Sequence, residues 1–167
     1  MTCRSDWQVE HARQRSARRA VLASQVDRAI RSALEAEPGP ARFGQWAAAW
    51  LGGTDRTEAS AVSAHADAYF AAESHRYDDA AYHAHQSHYQ AVMAALHWIH
   101  TTVSVRYDYL TELAATEATW CAGRAIHGPE LFTDRRFSTT GEPELVFNDW
   151  STNSSGRVCR SYDPSEA

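Results

Sequence analysis

Five histidines, His83, His85, His88, His97 and His100, fall within eighteen residues of the chain. His85 with His88, and His97 with His100, are each three residues apart, which puts both imidazoles of a pair on one face of a helix. Such pairs can chelate zinc, iron or copper, which want three or four ligands at about 2.0–2.2 Å; Asp67, Glu73, Asp108 or Glu112 could complete a sphere. Twelve residues separate the two pairs, about 18 Å on a straight helix, so they cannot share one ion. The Glu-x-x-His pattern of di-iron bundles and the HExxH motif are both absent. The preferred reading is plainer: His85 and His100 are core histidines satisfied by hydrogen bonds, while His83, His88 and His97 flank the core near solvent, and a pH-sensitive packing role stays open.

These histidines lie in 69 consecutive residues, between Gly53 and Gly123, that contain no glycine and no proline and include 17 alanines. That composition predicts helix throughout. A first helix is expected from Ser5 to Ala36, with Leu22, Val26, Ala29, Ile30, Ala33 and Leu34 on its packed face. Its first half concentrates Arg13, Arg15, Arg18 and Arg19 and is expected to project or lie on the surface. Pro38, Gly39 and Pro40 end it. A short second helix carries Phe43, Trp46, Ala47, Trp50 and Leu51 and stops at Gly52 and Gly53. Asp55 and Glu58 resemble a capping box for a third helix, whose expected buried face is Ala59, Val62, Ala66, Tyr69 and Phe70. A turn is expected at His75–Asp79, with either aspartate capping the next helix, and a break at Thr101–Val105 should split the long stripe that follows. The fold class is all-α: one bundle of four to five helices over residues 1–127, with an irregular tail or wrapping arm over 128–167 in which only Glu144–Phe147 looks strand-like.

The chain of 167 residues has a formal charge of −5 and no lysine. Absence of lysine excludes Schiff-base chemistry and a P-loop. The acidic balance does not favour nucleic acid or anionic membrane, although Arg13, Arg15, Arg18 and Arg19 are the group that could follow a phosphate backbone in a small adaptor. A solvated face, or contact with the chain's own acidic middle, is the preferred account of them. Cys3, Cys121 and Cys159 fit neither a disulfide framework nor a CxxC site, and Cys121 falls in phase with the core. No apolar run suits a membrane span or an export signal, so a cytoplasmic protein is expected. There is no catalytic motif and no cofactor is expected, zinc or iron being the alternative. Asp78, Asp79, Tyr82 and Tyr89 are the candidate partner-binding residues, because aromatic side chains beyond core needs favour protein interfaces.

Residues 46–115 resemble the alanine-rich helical immunity proteins of actinobacteria, which guard cells against polymorphic toxins. The resemblance is carried by Trp46-Ala-Ala-Ala-Trp50-Leu-Gly-Gly53, by alanine-punctuated amphipathic helices, and by Leu96-His97-Trp98-Ile99-His100 with Tyr107. It implies a non-catalytic binder whose acidic middle meets a basic toxin. It carries over no individual functional residue.

Overall fold

The computed structural model describes residues 6–37, 39, 41–128, 150–152 and 158–160. Five helices follow one another: α1 (Asp6–Ala36), α2 (Ala41–Leu51), α3 (Glu58–Ser74), α4 (Asp79–His100) and α5 (Arg106–His127). The chain divides into two units, Met1–Ile126 and His127–Ala167. In the second unit β1 (Trp150–Thr152) pairs antiparallel with β2 (Val158–Arg160), Ser151 opposite Cys159. Glu144–Phe147 lies outside the described residues. No helix among the described residues is long and apolar enough to cross a membrane.

The helix ends follow the local chemistry. Gly39 and Gly53 take φ of +74° and +71°, the left-handed region that stops α1 and α2. The start of α3 differs from the expected capping box. Thr57 is the N-cap, its hydroxyl accepting from the Ser60 amide. Asp55 supports the cap from outside, accepting from the Thr57 amide (3.0 Å), the Thr57 hydroxyl (2.7 Å) and the Ser60 hydroxyl (3.1 Å). Those bonds hold the Asp55 carboxyl below its usual range. Asp78 caps α4 by accepting from the Ala81 amide, and α4 ends at His100, before the β-branched run.

Helix α4 is the axle of the bundle, packed against both α1 and α3. Residue pairs across each seam set the directions. Arg15 meets Thr101 while His88 meets Glu37, so α1 and α4 are antiparallel. Tyr69 meets Tyr89 while Glu58 meets His100, so α3 and α4 are antiparallel. Gln90 meets Glu117 while Asp79 meets Arg124, so α4 and α5 form an antiparallel hairpin. The core joins Val26, Ala29, Ile30 and Ala33 of α1 to Phe43, Trp46, Ala47 and Trp50 of α2, and these to alanines of α3, α4 and α5. Trp50 is 1 % exposed and its indole N–H donates to Asp27 (3.1 Å), so its polar atom is satisfied inside.

Candidate protein-binding face

Helix α3 carries two stripes at helical spacing, and the fold buries the smaller one. Ala61, Ala64, Ala68 and Ala72 face inward, all at 3 % exposure or less. The stripe expected to be buried points outward instead: Ala59 and Ala66 are exposed, and Val62, Tyr69 and Phe70 are 51 %, 44 % and 67 % exposed. The physical reason is size. Small side chains on the inward stripe let the backbones of α3 and α4 approach closely. An inward Val, Tyr and Phe would force them apart.

The exposed stripe continues onto α4. The Tyr69 ring lies 6.0 Å from that of Tyr89, and the His65 ring 4.8 Å from it, so Tyr89 braces the outward aromatics from below. About two turns toward the start of α4, Tyr82 accepts at its hydroxyl from the Gln86 amide (3.2 Å). Its phenol faces Glu73 of α3 and Cys121 and Glu117 of α5; partial burial and these neighbours hold it above its usual range. Gln90 donates to Glu117 Oε1 at 2.9 Å. Burial pushes the Glu117 carboxyl up to about 7 and the Cys121 thiol further above its own ordinary value.

Of the four candidate partner-binding residues, Tyr82 and Tyr89 therefore lie on this face, partly buried. Asp78 and Asp79 have structural duties: Asp78 caps α4, and Asp79 pairs with Arg124 (3.1 Å) and accepts at its carbonyl from His83 Nδ1 (2.7 Å).

The structure sends the two histidine pairs to opposite ends of α4. His88 is fully buried, and its Nε2 donates to the carbonyls of Ala33 in α1 (3.2 Å) and of Glu37 just past its end (2.8 Å). Its ring stands 4.2 Å from Phe43 and 5.6 Å from His85, and His85 in turn lies 4.5 Å from His75. His85 Nε2 is 3.7 Å from the Glu37 carboxylate, and the Nδ1 atoms of His85 and His88 are buried without a partner. At the other end His97 and His100 pack on the Tyr107 ring at 5.9 and 5.2 Å, and His100 Nε2 lies 3.2 Å from Glu58. Among the described residues no three His, Cys, Asp or Glu side chains converge to hold a metal ion.

The expected burial pattern of these rings is corrected. His83 and His88, placed near solvent by the sequence reading, are 5 % and 0 % exposed, whereas His100 is only partly buried. The reason is that α4 is covered on three sides, by α1, α3 and α5, so its buried surface is far wider than one apolar stripe.

Arg13 is exposed, as are all described residues from Asp6 to Gln14. The other three arginines are engaged by their own chain. Arg15 donates to Asp108 (2.9 Å) and to the Thr101 carbonyl (2.7 Å), and Arg18 pairs with Glu112 at 2.7 Å. Arg19 donates to the Thr101 hydroxyl (2.6 Å) and lies over the Trp98 ring at 4.1 Å, while the Trp98 indole N–H donates back to the Arg19 carbonyl (3.0 Å).

Glu117, Glu37 and Arg124 are site residues that the sequence reading did not single out. Glu117 carried a legible signal: it sits at the spacing of Ala114, Ala118 and Cys121, an acid in core phase. Glu37 and Arg124 carried none, because their roles depend on neighbours 48 and 45 residues away.

Fold and site together define a helical bundle with an outward aromatic face on α3 and a carboxyl group at its edge. No protein-family model, curated protein or solved structure matches the chain.

Proposed function

We propose that this protein is a non-catalytic protein-binding module of the immunity type, which neutralises a cognate toxin by covering part of its surface with α3. The observation that carries this reading is the outward stripe of Val62, Tyr69 and Phe70, backed by Tyr89. An apolar stripe at helical spacing that the bundle leaves uncovered suits a partner surface, and aromatic side chains are the residues that anchor such interfaces. The stripe is bounded by Glu58 at one end and Glu73 at the other, on an α3 that contains no basic residue other than His65. Carboxylates at the rim favour a basic partner by speeding encounter and excluding acidic competitors.

The test is co-expression with the product of a neighbouring toxin gene, reading cell survival and the formation of a purified complex. Val62→Asp and Phe70→Asp are expected to abolish protection while the helical circular dichroism is unchanged. Full protection by both variants, or none by the wild type, would overturn the reading. Glu73→Lys is the informative charge reversal, because Asp78 and Asp79 cannot be reversed without uncapping α4 or breaking the Arg124 pair.

A further inference from the structure

Glu117 occupies a position that an apolar residue would fill more cheaply. Along α5 the same face carries Ala114, Ala118 and Cys121, all buried. A carboxylate there loses hydration, a loss offset by a cation or by several hydrogen bonds, or avoided by keeping the proton. It has one amide donor, Gln90 Nε2. Among the described residues no arginine or histidine forms an ion pair with it. The basic group nearest along α5, Arg124, is paired with Asp79 at 3.1 Å.

The surroundings suit a cation. Tyr82, Tyr89 and Gln90, all partly buried, lie on one side of α4 around the buried Gln86, four residues before it and three and four residues after it. Tyr69 and Glu73 border this strip from α3, and Glu117 and Cys121 border it from α5. Tyrosine rings attract a guanidinium or ammonium through their faces, glutamine carbonyl oxygens accept from it, and Glu73 supplies a second negative charge near Tyr82. Glu117 as a residue is only partly buried.

We infer that Glu117 anchors a cationic side chain, arginine or lysine, of the protein partner, seated on the Tyr82–Gln90 strip of α4 beside the apolar stripe of α3. The inference rests on the protein-binding reading and specifies its polar anchor. It accounts for a carboxyl held up to about 7 in the free protein, because the counter-charge arrives with the partner.

The probe is a short amphipathic helical peptide of leucine and arginine, with a leucine–glutamate peptide as control, added to the whole protein carrying carbon-13 at glutamate carboxyls. The arginine peptide is expected to bind and to lower the Glu117 titration midpoint by a unit or more. Glu117→Gln, which keeps the shape and the Gln90 contact, is expected to weaken it tenfold or more, one pH unit of midpoint shift being equivalent to a tenfold change in affinity. Phe70→Ser should also weaken it. An unmoved midpoint, equal affinity for Glu117→Gln, or equal binding of the glutamate peptide would overturn the anchor. If Phe70→Ser still weakens a cognate partner in that case, the protein-binding reading stands without the anchor; if neither substitution matters, both fall.

Discussion

Gly39 rests on the imidazole of His88: a Cβ at residue 39 would come within 2.7 Å of His88 Cε1 and 3.0 Å of Nδ1. The close approach and the φ of +74° have the same origin. To let α1 turn into α2 over the start of the axle helix, the backbone has to pass across the ring face. Gly39→Ala therefore meets both a left-handed backbone and a buried ring that is held by two carbonyls. A loss of about 2–4 kcal/mol in urea unfolding is expected. Gly53→Ala shares the left-handed backbone at φ +71° but meets open space, so it should cost only about 1–2 kcal/mol. Equal losses at the two glycines would refute the packing argument.

Acid should destabilise the bundle through its histidines. Burial holds His65, His83, His85, His88 and His97 below the ordinary histidine value. Between their folded values and about 6.5 the unfolded chain binds more protons than the folded one, so stability is fully present above about 6.5 and falls as the pH drops below it. Urea midpoints measured between pH 7.5 and 5 should fall, and His88→Gln should flatten the slope. A pH-independent midpoint over that range would contradict the burial of these rings.

Glu117 has the opposite sign. Its folded value, about 7, lies above the unfolded one, so the folded form carries no penalty below about 4.5 and accumulates one as the pH rises to 7. Glu117→Gln is expected to stabilise the protein at pH 8, by at most about 3 kcal/mol, and to be close to neutral at pH 4.5. Destabilisation at pH 8 would mean that the charged form is already compensated in the free protein.

The inversion of α3 can be tested by substitution on its two faces. Phe70→Ser and Val62→Ser on the outward stripe should shift stability by no more than about 0.5 kcal/mol, as surface changes do. Ala68→Leu on the inward stripe should cost about 1–3 kcal/mol by overpacking against α4. The reverse ranking would place the large residues inside, where the sequence pattern alone puts them.

Arg19 joins three elements of its surroundings at once, the Thr101 hydroxyl, the Trp98 carbonyl and the Trp98 ring. Burial, and after it the like charge of Arg15, lower its guanidinium from the usual arginine value against the favourable field of Asp108. Arg19→Ala should cost about 1–3 kcal/mol by leaving partly buried acceptors unpaired, whereas Trp7→Ala at the exposed start of α1 should change little. Thermal denaturation of the two variants distinguishes them.

The number of helices and most of their ends were legible in the sequence, because glycine, proline and capping side chains act over a few residues. Gly39, Gly53, Asp78 and the β-branched run after His100 all mark boundaries that the fold keeps. The packed stripe of α1 was legible too, because Leu22, Val26, Ile30 and Ala33 have no rival stripe on that helix. On α3 two stripes compete, and only the packing against α4 decides between them. The histidines were misplaced for a related reason: a periodicity gives one buried face, whereas a helix enclosed by three others buries most of its circumference. The engagement of Arg15, Arg18 and Arg19 and the surroundings of Glu117 depend on groups from 27 to 94 residues away. The sequence by itself thus determined where the helices run. Tertiary packing decided which faces meet, because that choice rests on the combined size and charge of surfaces distant in the chain.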